Sequence, residues 1–261
     1  MLVQPDNDKT AQRRDTRMPR RFCLLLFALL WLPVAQATDG TRHILVGYYE
    51  FPPYTYTDAQ GEPAGPGLAL TRRLLQQAGY TSDFRSYPGA RLYSGLRDGS
   101  VQLWLGAPGK PELAAHTLEG RNLLGEITLN LYFLRDTLLP RLPEDLKDRS
   151  LILITGYSYW QAVNEWLEDP ALNLTLHRTA SHTSALEMLQ RHRGDFLLDY
   201  QTPVEQARRR LGMAELPFVQ LQHLPLKFIY SRAWPGAERL RDDMEHAYQQ
   251  LEEAGEDLRL D

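Results

Sequence analysis

The chain has 261 residues, 43% of them hydrophobic, a formal net charge of −4 and one cysteine. That length and apolar content suit one large domain or two small lobes. The acidic balance argues against nucleic acid or an anionic membrane surface as a partner, and a lone cysteine excludes a disulfide framework or a zinc–thiolate cluster.

The first 17 residues are polar and lack a periodic apolar face. Arg20 and Arg21 then precede the apolar run Phe22–Leu32, which is followed by Pro33 and the small-x-small triplet Ala35-Gln36-Ala37. This is the three-part secretory pattern, and the run is short for a bilayer span. It predicts a signal peptide over residues 1–37, cleavage after Ala37, a periplasmic destination and no retained membrane anchor. Met18 is a candidate true start. Arg13-Arg14 lies well before the run, so it signals a twin-arginine route only weakly. Cys23 lies inside the segment without a small residue before it, unlike a lipoprotein cysteine. Cleavage would leave 23 basic and 30 acidic residues, a formal net of −7, and no cysteine.

Short apolar runs then alternate with helical patterns. Strands are expected at His43–Tyr48, Thr81–Ser86, Val101–Leu105, Ile127–Leu134, Leu151–Ile154, Asn173–His177, Phe196–Asp199 and Phe228–Ser231. Leu68, Leu74, Leu75 and Ala78 share a helical face closed by Gly79, and Leu186 and Leu189 share another between Ser181 and Gly194. A further helix runs through Leu167, and one begins near Pro203. Leu240, Met244, Ala247 and Leu251 form a stripe on the last helix. Strands alternating with helices imply an α/β fold rich in parallel pairing. The order suggests two lobes: residues 38–136 for the first part of lobe 1, 137–222 for lobe 2, and 223–261 for a strand and helix returning to lobe 1. Two hinge crossings are expected, near Thr137–Pro143 and near Gln222–Pro225.

Ligands bind at the carboxyl ends of strands in open α/β sheets, and clefts between lobes collect pockets. Tyr49, Phe51 and Tyr54 follow the first strand and offer flat faces to an apolar or cationic solute; covering their own core is the plainer role. Arg91 lies near a helix start and could fork onto a carboxylate or stay solvated. Ala107 and Gly109, after the strand Val101–Leu105, let backbone approach a ligand or simply turn the chain. Tyr157, Ser158 and Tyr159 precede a helix whose free N–H groups favour anions, unless Ser158 or Thr155 only caps it. Asp199 ends a strand, where it could meet an ammonium group or cap the next helix. The seven histidines are scattered, no metal-ligand spacing or phosphate loop occurs, and Gly156-Tyr157-Ser158-Tyr159-Trp160 lacks the second glycine of a nucleophile elbow. No cofactor, metal or catalytic residue is assigned, and Arg208-Arg209-Arg210 reads as a solvated helix face.

Five segments in order, VGYYEFPPYTYTDAQGEPAGPGLALTRRLLQQAG, YPGARLYSGLRDGSVQLWLGAPG, ITGYSYWQAVNEWL, TSALEMLQRHRGDFLLDY and PLKFIYSRAWPGAERLRDDMEHAYQQL, resemble the bacterial extracellular solute-binding protein family 3 and cover most of residues 38–261. The resemblance implies a type II periplasmic-binding-protein-like clamshell that closes on a small polar solute. It further implies a monomer that serves the membrane subunits of an ABC importer or a sensor kinase. It implies that Tyr157–Tyr159 form the second-lobe ligand loop and that Asp199 receives a ligand amine. Two features depart from the pattern. Gly65-Pro66-Gly67 lacks the acids that usually open the first helix. The segment Gly106–His116 holds no arginine, so the usual carboxylate clamp is missing. The resemblance also leaves room for a dehydratase-like enzyme using Glu50, Asp199 or a histidine, and for a ligand-free interaction or signalling protein.

Overall fold

Residues 42–260 are described by the computed structural model; the expected signal peptide lies outside them. The strands are β1 (His43–Tyr48), β2 (Tyr56–Thr57), β3 (Pro63–Ala64), β4 (Thr81–Ser86), β5 (Leu103–Gly106), β6 (Thr117–Glu119), β7 (Gly125–Tyr132), β8 (Ser150–Ile154), β9 (Thr175–Thr179), β10 (Phe196–Tyr200) and β11 (Phe218–Ser231). The helices are α1 (Pro66–Gln77), α2 (Gly89–Asp98), α3 (Gln161–Glu168), α4 (His182–Gln190), α5 (Gln201–Leu211) and α6 (Ala237–Glu253).

One half of the fold is built on β1. Its parallel neighbours are β4, paired from His43↔Thr81 to Tyr48↔Ser86, and β5, paired at Val46↔Leu103. Both faces of β1 are covered, Ile44 and Val46 packing in the cluster with α1 and α6 and Leu45 in the one with α2, which explains the near-continuous apolar reading of HILVGY. Ile44, Val46 and Leu103 pack with Leu74 and Leu75 of α1 and with Leu240 and Met244 of α6. The other half is built on β8, which lies parallel to both β9 and β10. Ile152 and Ile154 pack there with Leu186, Leu189, Leu197 and Val204.

A long antiparallel ribbon joins the halves. β11 pairs with β7 through Phe218–Leu226 and with β5 through Lys227–Tyr230, with a register shift between Gln220 and Gln222. β7 in turn pairs with β10 at Leu129–Tyr132. The two halves therefore share one sheet path, β4-β1-β5-β11-β7-β10-β8-β9.

β1 and β4 keep the bounds expected from sequence, whereas β11 begins at Phe218 instead of Phe228. Its first ten residues, FVQLQHLPLK, interleave apolar residues with Gln and His, because this end of the ribbon is largely half-buried or exposed. The hairpin β2–β3 and the short β6 also went unread; strands of two or three residues carry no periodicity. Neither Thr155 nor Ser158 caps α3, which starts from Trp160 without a side-chain cap. Ser181 does cap α4, accepting from the Ser184 N–H at 3.1 Å.

Candidate functional site

A cavity of about 500 Å³ opens between the halves. Its first wall comes from chain just past β1 (Tyr49, Glu50, Pro52) and past β4 (Tyr87, Pro88, Gly89). Its second wall comes from chain past β8 (Thr155, Gly156, Tyr157) and past β9 (Ala180–Thr183), with Arg210 of α5. Parallel strands running the same way place their following turns on one edge, so sheet topology alone gathers these residues.

The rim is tight at one point. A Cβ on Gly89 would lie 2.0 Å from the carbonyl oxygen of Gly156, and Gly156 itself adopts φ 87°. Two glycines meeting there let α2 approach the loop after β8.

The charges are held differently on the two walls. Glu50 Oε1 accepts from the hydroxyls of Thr57 (2.7 Å) and Ser86 (3.1 Å), and Oε2 accepts from the Thr57 N–H at 3.0 Å. Arg210 supplies a guanidinium from the opposite wall. Behind the second wall runs a chain of polar groups. The Tyr157 hydroxyl donates to Glu50 O at 3.0 Å and lies 3.2 Å from His182 Nε2. His182 Nδ1 is 2.7 Å from Asp199 Oδ2, and the Tyr200 N–H donates to Asp199 Oδ1 at 2.7 Å. One phenolic proton cannot serve both Glu50 O and His182 Nε2. When it goes to Glu50 O, the Tyr157 oxygen is left to accept from His182 Nε2–H. Burial pushes the Tyr49, Tyr157 and Tyr200 phenols well above their ordinary range, so these tyrosines are protonated donors rather than bases.

Tyr49 and Tyr157 are the sequence-predicted residues that line this cavity. Their rings approach to 5.4 Å between centroids. The others lie elsewhere. Phe51 and Tyr54 stack at 6.0 Å and are 5% and 6% exposed, within a core cluster that also holds Ala107, Tyr159, Trp160 and Tyr200. This cluster fills the middle of the cleft with the chain's own side chains, because loop aromatics from one half pack on loop aromatics from the other. Ala107 and Gly109 border slivers of about 10 Å³ and not this cavity. Arg91 is exposed, with its guanidinium 5.7 Å from the Tyr87 ring centroid. Ser158 turns to Lys110, whose Nζ donates to Ser158 O at 2.9 Å and to Ser158 Oγ at 3.1 Å. Asp199, expected to meet a ligand amine, is 0% exposed and spent on His182 and the Tyr200 amide.

Sequence reasoning did not single out Tyr87–Gly89, Ser181–Thr183 or Arg210 as cavity residues, or Lys110 as an interior one. The first two groups directly follow strands β4 and β9, so the strand-end rule applied evenly would have found them. Arg210 was hidden in an Arg triplet whose Arg208 is paired with Glu205. Lys110 gave no signal, since lysine is almost never fully buried.

No protein-family model and no curated protein sequence matches this chain. Solved structures do. A histidine kinase sensor domain with similarity to periplasmic binding proteins superposes with TM-score 0.67 at 22% identity, covering 83% of this chain and 93% of that one. A substrate-binding protein of an ABC uptake transporter from Streptococcus pneumoniae, with bound histidine, gives 0.66 at 15% identity over 85% and 96%. An ancestral amino acid-binding protein, a precursor of cyclohexadienyl dehydratase, gives 0.63 at 17% identity over 82% and 91%. Among the described residues no helix is long and apolar enough to cross a membrane. The chain has the two-lobed α/β fold of periplasmic binding proteins.

Proposed function

We propose that the chain is an exported receptor that captures a small polar solute, amino-acid-like or amine-bearing, without transforming it. The position of the cavity carries this reading: turns after β1, β4, β8 and β9 converge on one space of about 500 Å³ that both halves line. Tyr49 and Tyr157 supply aromatic faces, Glu50 the carboxylate for an ammonium group, and Arg210 a countercharge. The lobes in this reading are residues 38–136 with 223–261, and 137–222, joined through β7 and β11. Residues 1–37 act as a cleaved signal peptide that delivers the protein to the periplasm. The partner is the membrane part of an ABC importer or a sensor kinase; structural neighbours of both kinds support keeping the two together.

A second reading, a dehydratase-like enzyme, is favoured by one observation: the Tyr157–His182–Asp199 chain reaches the cavity wall with a histidine in contact with a polar partner at both ring nitrogens. Thermal-shift screening against amino acids, polyamines and organic acids, followed by mass spectrometry of each hit, separates the two. A compound that raises the melting midpoint and is recovered unchanged supports the receptor, with weaker binding by Glu50→Gln and Arg210→Ala. Conversion to product, lost in His182→Gln, overturns it in favour of the enzyme.

A further inference from the structure

Lys110 is 2% exposed, and its surroundings are those of a recognised ligand rather than of a surface lysine. Its ammonium lies 3.9 Å from the ring centroid of Trp160 and 5.6 Å from that of Tyr93. It donates to the carbonyl and hydroxyl oxygens of Ser158, at 2.9 and 3.1 Å. The Ser158 hydroxyl donates onward to Glu112 Oε1 at 3.1 Å. Two aromatic faces, two oxygen acceptors and a carboxylate one hydroxyl away are the chemistry that selects a primary ammonium group.

The cage is assembled from both halves of the fold. Tyr93 (on α2) and Glu112 (past β5) come from one, whereas Ser158 and Trp160 follow β8 in the other. The Trp160 indole N–H adds a bond to Pro108 O at 3.3 Å, next to the same lysine. None of these cage residues lines the large cavity, so the site is separate from the proposed solute pocket.

We propose that this cage is a primary-ammonium site whose occupant is the chain's own Lys110, a tethered ligand that fastens the 107–112 loop to the 157–160 loop. The fastening is present with or without a solute in the larger cavity. Removing the side chain beyond Cβ leaves the space of an n-propylammonium ion, with the two oxygen acceptors and the Trp160 face still in place. A free primary alkylammonium then takes the seat.

Hydrogen exchange of the purified protein reads the fastening at backbone amides bonded within or beside the two loops: Leu113, Ala114, Tyr157 and Val163. In Lys110→Ala, protection of these amides is expected to fall about tenfold, the size of one charge-assisted hydrogen bond. Millimolar n-propylammonium chloride restores it, whereas equal sodium or tetramethylammonium chloride does not, because neither cation donates a hydrogen bond. Wild-type protection does not respond to any of the three salts. Unchanged protection in Lys110→Ala, or recovery with sodium equal to recovery with n-propylammonium, overturns the proposal. Should Lys110→Ala fail to fold, Lys110→Met keeps the length of the stem without the donors. Protection in Lys110→Met equal to wild type then overturns the proposal, and reduced protection supports it.

Discussion

Gly89 has no room for a side chain: its Cβ would stand 2.0 Å from Gly156 O, a backbone atom that cannot rotate away. Gly89→Ala is therefore expected to part the two loops at a cost of about 1–3 kcal/mol, read as a lower melting midpoint. Asp199 makes a different argument. Sequence placed it correctly at a strand end, but its partner His182 is far away in the chain, and no local pattern announces such a pairing. Asp199→Ala would leave a buried imidazole and the Tyr200 N–H without their acceptor, a loss of about 2–4 kcal/mol in chemical denaturation. Asp199→Asn, which keeps one acceptor, should cost less.

Elements with a simple environment were the most legible. β1 lies between two parallel partners and reads as an apolar run; α6 carries Leu240, Met244, Ala247 and Leu251 on one buried stripe. Leu240 is fully buried against the β1–β5 layer, and Leu240→Ala should cost about 2–5 kcal/mol in thermal or denaturant unfolding. The first part of β11 was illegible for a physical reason. Gln220, Gln222 and His223 belong to a strand that leaves one half of the fold and reaches the other, so its burial changes along its length. The hydrophobic period reports which face is covered, and in a ribbon between two bodies that face is not constant. The α3 start shows the converse: Ser158 had the chemistry of a cap but was recruited by Lys110, which leaves Trp160 at the cap position.

At the scale of the molecule, the cleft is partly a core. Phe51, Tyr54 and Ala107 of one half share a cluster with Tyr159, Trp160 and Tyr200 of the other, and Phe51 meets Tyr200 edge to face at 5.1 Å. Sequence offered Phe51, Tyr54 and Tyr159 as ligand contacts because a strand-end loop looks the same whether it faces a solute or an opposing loop; only tertiary packing tells them apart. A closed arrangement held by internal contacts predicts a solute-independent shape. Small-angle scattering should give a radius of gyration of about 17 Å for residues 38–261, with or without a bound compound. An expansion of several ångströms on removing solute would contradict it. The buried lysine has one more consequence, for reagents. Lys147 is exposed, Lys227 half-buried and Lys110 enclosed. An amine-acylating probe should therefore mark Lys147 at once and Lys110 only in molecules whose loops have come apart. The ratio of the two adducts over time is then a clock for how often this protein breathes.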